Sequence, residues 1–350
     1  MNVIAGAVGI SKYFGVVSPV YYMLIPRELD YSNEYFHHLF RTETFQKSLY
    51  GLGNGILIKE NEETGRLNTI RMRIPMDKLG DQFIPVPPAE EQKLIARYLD
   101  KKTEQIDRLV MKIQKKIDLL KEQRTSLINQ CVTKGLDPNV EMKDVDVEWI
   151  GKIPKHWEIK KLKYISKITY GISPPETTYN DVEDGTVLIN GPVEYSTTDF
   201  GLTRSIKWTT EPKNLIPKGS LLFCVRGSTT GRMNISHRDV SIGRGVCSIE
   251  SKLDQNFTVF CMMIIRIYIQ DQISGSTFPS VVKEDVDNFE LPCPSEEEQH
   301  QISEYLTEKV DLIEGLINLY TKKADYIREH RQSLISSIVT GKVLVTEDMI

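Results

Sequence analysis

The chain contains one passage twice. "PVPPAEEQKLIARYLDKKTEQI" fills residues 85–106, and "PCPSEEEQHQISEYLTEKVDLI" fills residues 292–313. With Gln92 set on Gln299, Pro85 meets Pro292, Pro87 meets Pro294, and Glu90-Glu91-Gln92 meets Glu297-Glu298-Gln299. The register holds without a gap through Ile95/Ile302, Leu99/Leu306 and Ile106/Ile313 to Arg124/Arg331, a shared Ser-Leu-Ile, and Val132-Thr133/Val339-Thr340. A match of this length marks a structural unit made in duplicate.

Each copy reads as one long helix, over about 89–133 and 296–340. Prolines stop an extended segment, acids occupy the first turn where the helix dipole favours them, and Gly135 and Gly341 follow the ends. Apolar residues recur every seven positions: Leu99, Ile106, Ile113, Leu120 and Leu127 in the first copy, and Leu306, Ile313, Tyr320, Ile327 and Leu334 in the second. Val110 and Ile117, or Leu316 and Ile317, widen each stripe. Such spacing marks a coiled-coil seam, and two matching helices supply each other's partner. The other arrangement open to the stripe is packing of each helix on its own domain.

Residues 147–290 differ in kind. "VEWIGKIPKHWEIKKLKYI" opens them, and the β-rich runs "GTVLI", "SLLFCV", "VCSIE" and "FTVFCMMIIRIYI" follow between turn-forming stretches. The segment before the first helix reads as the same kind of domain: "GAVGISKYFGVVSPVYYML" aligns with "GRMNISHRDVSIGRGVCSI", Gly6 falling on Gly231, and begins as though in mid-strand. Residues 147–226 have no counterpart upstream, so the first domain is expected to lack its leading part while keeping the later strands and the "YGLGNG" turn. "NEYFHHLFRTETF" reads as an amphipathic helix whose adjacent His37 and His38 serve packing. The expected fold class is α+β, organised as a partial first domain (1–84), spacer helix 1 (85–136), a linker (137–146), a second domain (147–290), spacer helix 2 (291–342) and a tail (343–350).

A net charge of −4 gives no global attraction to nucleic acid, so any such binding must be local. Residues 204–252 hold nine Lys or Arg against three acids, and residues 151–167 hold six Lys against Glu158. These basic stretches are interleaved with Ser, Thr, Asn and aromatic residues suited to phosphates and bases. The candidates for DNA contact are Arg226, Ser228, Thr229, Arg232, Arg238 and Arg244, with Lys160, Lys161 and Lys163 as phosphate contacts. Residues 1–84 carry nine Lys or Arg against nine acids, so selective contact is expected mainly in the second domain.

Chemistry of other kinds finds little footing. The five scattered cysteines offer no C-x-x-C pair, which speaks against a zinc site or disulfide framework and for a reducing cytoplasm. The Gly-Lys pairs at 151 and 341 lack the rest of a phosphate-binding loop, and "RGSTTGRMN" alone is weak evidence for a nucleotide. Asp239, Glu250 and Lys252 imitate a nuclease pattern at spacing that is ordinary in a charged region. No apolar run approaches the ~18 residues of a membrane span. The expectation is a chain with no catalytic site, no metal and no cofactor of its own.

"EWIGKIPKHWEIKKLKYI" with "GISPP", a β-rich domain, and then "LPCPSEEEQHQISEYL" with a long helix resembles the specificity subunit of type I restriction–modification systems. The opening "MNVIAGAVGISKYFGVVSPVYYML" is similar to the middle of that family's target-recognition domain, as in a subunit truncated at its N-terminus. The resemblance implies two target-recognition domains, each reading half of a bipartite double-stranded DNA target. It implies that the two helices pair antiparallel between them, setting Ile106, Ile113 and Leu120 against Leu316, Tyr320 and Ile327. It further implies docking of two modification subunits, which use S-adenosylmethionine to methylate adenine N6, and of restriction/translocase subunits, which use ATP and Mg. Two other roles stand beside this one: a coiled-coil assembly scaffold that does not read DNA, and a silent truncated cassette. A truncated subunit is also expected to be able to pair with itself. A helix of ~45 residues is roughly 65 Å long, about two turns of B-DNA.

Overall fold

In the computed structural model of the chain, the described residues are 8–18, 21–27, 30–55, 72–196, 198, 201–227, 229–273 and 281–350. The chain divides into one unit made of residues 1–118 and 317–350 and another made of residues 119–316. Among the described residues, no helix is long and apolar enough to cross a membrane.

In the first unit, α1 (Asn33–Phe40) starts at Ser32, whose side chain accepts from the Tyr35 amide. The helix expected over "NEYFHHLFRTETF" breaks at Thr42, because that residue is extended (ψ 144°) and caps a second helix, α2 (Glu43–Ser48). His38 is buried, and its Nε2 lies 2.8 Å from Asp100 Oδ1. The two-residue strands β1 (Asn54–Gly55) and β2 (Met72–Arg73) pair antiparallel, and α3 (Met76–Gly80) precedes the long helix α4 (Ala89–Lys134). The strands expected in the opening stretch do not form among residues 8–18 and 21–27; residues 1–7, including Gly6, and 19–20 lie outside the described residues. Tyr13, Phe14 and Val16 are exposed there. A strand needs a neighbour's backbone groups, and the aligned strands of the other unit take theirs from residues 166–224.

In the second unit, β3 (Met142–Asp144) pairs with β4 (Lys152–Pro154). Strand β5 (Glu158–Lys161) leads through the one-turn α5 (Leu162–Ile165) into β6 (Ser166–Tyr170). Short strands follow: β7 (Tyr179–Asn180), β8 (Thr186–Ile189), β9 (Trp208–Thr209), β10 (Leu215–Ile216), β11 (Leu221–Cys224), β12 (Met233–Ile235), β13 (Val240–Ile242) and β14 (Val246–Ser251). They form a four-stranded antiparallel sheet in the order β12-β11-β14-β6, and a five-stranded sheet in the order β10-β13-β8-β9-β7 whose one parallel pairing is β13 with β8. Next come α6 (Gln255–Ile273), α7 (Lys283–Asp287) and β15 (Glu290–Cys293), which pairs with β5, and then the long helix α8 (Glu296–Val339).

The run "FTVFCMMIIRIYI", expected as strand, lies in α6. Every residue from Phe257 to Ile265 is buried, so the run carries no amphipathic period. A continuous apolar run is ambiguous by pattern, and its length is what favours a helix.

Helices α4 and α8 pack antiparallel. In the first unit, Arg331 Nε lies 3.0 Å from Asp107 Oδ1, and Lys116 Nζ sits 4.8 Å over the Tyr320 ring, so the numbering of the two helices runs oppositely. In the second unit, Arg124 pairs with Glu314. Of the expected seam residues, Leu99, Ile113, Leu120, Leu306 and Ile313 are buried, and Ile106, Leu127, Tyr320, Ile327 and Leu334 are half-buried. Leu316, expected to face Ile106, Ile113 and Leu120, is instead 43% exposed, and Ile317 is buried at 8%. The correction follows from helical spacing. Thr103, Ile117, Val310, Ile317 and Ala324 complete the buried stripe at alternating steps of three and four, which carries Leu316 off the seam.

The repeat is also a repeat of contacts. Arg124 and Arg331 are equivalent under the alignment, as are their partners Glu314 and Asp107. Gln92 donates to the Pro87 carbonyl (2.8 Å) and accepts from the Ser32 amide (3.0 Å). Gln299 likewise donates to the Pro294 carbonyl (2.8 Å) and accepts from the Asp254 amide (3.0 Å). Asp254 caps the Phe257 amide at the start of α6 (2.9 Å), as Ser32 caps that of Tyr35 (3.2 Å) in α1. Helix α1 is thereby the counterpart of α6, with Tyr35 and Phe257 in equivalent, fully buried places.

Candidate nucleic-acid interface

The ends of β6 and β11 and the starts of β12 and β14 share one end of the four-stranded sheet, as the pairs Tyr170↔Cys247, Cys224↔Val246 and Phe223↔Met233 require. Three turns meet there. The Val225 amide donates to the Gly245 carbonyl (2.9 Å), the Gly171 amide to Val246 (3.0 Å), and the Ile172 amide to Ile242 (3.0 Å). The Arg244 amide donates to Ser173 Oγ (3.1 Å). Two glycines allow the crossing: a Cβ on Gly171 would lie 2.1 Å from the Gly243 carbonyl oxygen, and one on Gly243 would lie 1.7 Å from Asn190 Oδ1. A side chain at either position has no room, so the crossing is fixed in sequence as well as in hydrogen bonds.

This sheet end gathers Arg226, Thr229, Arg232 and Arg244; Ser228 lies outside the described residues. Arg226 and Arg244 are exposed, and among the described residues neither is in an ion pair. Arg232 is half-buried, and its Nη2 donates to the Ser196 carbonyl (3.3 Å), which gives it a role in holding its loop. Thr229 is half-buried, and its carbonyl accepts from the Arg232 amide (3.0 Å).

The other candidates lie elsewhere. Arg238 is exposed between the end of β12 and the start of β13, at the opposite end of the four-stranded sheet. Lys160, Lys161 and Lys163 precede β6 and so belong to that opposite end too. Lys160 pairs with Glu158 (2.9 Å), Lys163 donates to Asn288 Oδ1 (3.0 Å), and Lys161 is half-buried. Asp239 and Glu250 have separate partners, the Lys218 amide (2.9 Å) and Lys167 (3.1 Å).

Ser173, whose Oγ accepts from the Arg244 amide, is absent from the sequence-derived candidates, as is Asn190, whose side chain lies against Gly243. The signal available was "GISPP" beside a Gly-Arg-Gly, but only strand pairing shows that the two stretches touch. "IPKHW" proves to be a lock on the second spacer. Glu298 accepts from Trp157 Nε1 (3.1 Å), His156 Nε2 (2.9 Å) and Ser295 Oγ (2.8 Å). Burial alone would raise the pKa of Glu298, but these hydrogen bonds outweigh it and hold the carboxyl at about 2.

Residues 154–320 match the family profile of the type I restriction modification DNA specificity domain. A Methanocaldococcus jannaschii protein assigned as the type I restriction enzyme MjaX specificity subunit is 30% identical over 268 residues, covering 75% of this chain and 59% of that protein. The type I restriction enzyme MjaVIII specificity subunit of the same organism is 26% identical over 283 residues, covering 75% of this chain and 62% of that one. The chain thus spans about three fifths of the length of these curated relatives. A chain in a solved structure described as the basis of complex assembly and conformational transition of the type I R-M system superposes with a TM-score of 0.70. It shares 18% identity and covers 89% of this chain and 72% of that one, a likeness of fold. With a DNA specificity profile over residues 154–320, reaching into α8, and relatives of one kind along three quarters of its length, the chain is similar to type I restriction–modification specificity subunits.

Proposed function

We propose that this chain is a DNA sequence-recognition subunit, and that the unit of residues 119–316 reads a half-site of double-stranded DNA with the arginine end of its four-stranded sheet. One observation carries the reading: Arg226 and Arg244 are exposed cations without an ion pair among the described residues, set on turns that backbone hydrogen bonds hold in place. Phosphate contacts position a protein on DNA, whereas base selection needs donors held in fixed geometry. Lys163, which has no acidic partner among the described residues, suits a phosphate; Lys160 is already paired with Glu158 and suits one less well.

The chain is non-catalytic in this reading and works in the cytoplasm. It docks modification subunits, which carry S-adenosylmethionine and methylate adenine, and restriction/translocase subunits, which consume ATP with Mg. The full chain, incubated with a randomised duplex pool, is expected to enrich one motif, and its affinity should fall linearly with salt on logarithmic axes. Equal binding to all sequences would refute sequence reading and favour a scaffold role.

A further inference from the structure

Arg226 and Arg244 flank a single backbone hydrogen bond: Val225, which precedes Arg226, donates to Gly245, which follows Arg244. The β11–β14 register ends at Cys224↔Val246, and beyond it Gly243–Val246 forms a turn closed by the Val246 amide on the Gly243 carbonyl (3.1 Å), so Arg226 and Arg244 lie on neighbouring chain segments just past the sheet end. Like charges brought close on neighbouring segments repel one another. Among the described residues neither arginine is in an ion pair. Both residues are nevertheless fixed in place. Arg244 is held by its amide bond to Ser173 Oγ and by the Gly243 amide on the Ile189 carbonyl (2.9 Å), and Arg226 follows Val225, whose amide bonds Gly245.

Neighbouring strands run about 4.8 Å apart, and consecutive bases along a DNA strand rise about 3.4 Å. Two long side chains starting from neighbouring segments at about that separation reach base pairs one or two steps apart. Each presents the fork that bonds guanine O6 and N7 in the major groove. We infer that Arg226 and Arg244 act as a couple on two neighbouring guanine-containing base pairs, with Ser173 as a positioning residue for Arg244. The half-site of this unit then contains such a step. The inference rests on the DNA-reading function proposed above and narrows it to a substrate class.

The test is selection of a randomised duplex pool by the full chain and by its Arg226→Ala and Arg244→Ala variants, with circular dichroism and unfolding midpoints as the control for folding. The wild type is expected to enrich two adjacent guanine-containing base pairs. Each variant should lose discrimination at a different one of the two, by roughly 5- to 150-fold. Ser173→Ala should weaken only the position that Arg244→Ala abolishes. A wild-type motif without such a step, variants that leave it unchanged, or variants that relax positions further apart would overturn the couple while leaving DNA reading intact. No motif from the wild type would overturn both.

Discussion

Replacing Gln299 with methionine tests the idea that the duplicated glutamine fastens each spacer helix to the helix beside it. Gln299 is 2% exposed and bonds both the Pro294 carbonyl and the Asp254 amide. Methionine fills similar space but satisfies neither group. An orphaned buried donor or acceptor costs about 1–3 kcal/mol. Pro294 is buried and Asp254 is half-buried, so water can partly relieve the second group. The expected loss is therefore about 2–4 kcal/mol. The assay is urea unfolding followed by tryptophan fluorescence, because all three tryptophans (Trp149, Trp157 and Trp208) lie in the unit of residues 119–316. Gln299→Glu keeps an acceptor for the Asp254 amide but loses the donor to Pro294 and sets a charge beside the Asp254 carboxylate, so it should be no milder. A loss below about 0.5 kcal/mol, the scale of ordinary surface substitutions, would refute the reasoning.

Three further outcomes are expected. Glu298 is held at about 2 against an ordinary 4.5, so its contribution is present above the ordinary value and is lost as pH falls through 2. Between pH 5 and 2 the wild type should lose more stability than Glu298→Gln, and parallel pH profiles would contradict this. Arg124→Ala should cost more than Arg331→Ala in denaturation followed by helical circular dichroism, because Glu314 is 24% exposed and Asp107 is 57% exposed; the reverse order would show that the two equivalent pairs are not ranked by burial. The isolated chain should transfer no labelled methyl group to DNA until a modification subunit and its methyl donor are added, and robust incorporation by the purified chain would contradict a non-catalytic role.

The long helices were legible because they announce themselves locally. Prolines, first-turn acids, terminal glycines and a sevenfold stripe located them at 89–133 and 296–340, against the observed Ala89–Lys134 and Glu296–Val339. Of the seam's other positions Val110, Ile117 and Ile317 are legible as apolar, whereas Thr103, Ala324, Arg124 and Arg331 do not read as apolar. Helix α6 was misread because burial on every side erases its period. At the candidate site, composition found the arginines. It could not separate Arg226 and Arg244 from Arg238 and the lysines, since strand pairing joins residues 171–173 to 242–246 and leaves the lysines at the other end. The buried glutamines stood in plain view within a repeated Glu-Glu-Gln, where the acids suggested only a helix start.

The central claim is that the exposed arginine end reads sequence as well as binding charge. It is tested most directly by the ratio of the full chain's affinities for its enriched duplex and for a scrambled duplex of equal length, measured at one salt concentration. For a specific reader the ratio should be on the order of 10³ or more, and Arg226→Ala with Arg244→Ala should collapse it while leaving affinity for the scrambled duplex nearly unchanged. A wild-type ratio near one, or a double variant that weakens both duplexes equally, would contradict the account.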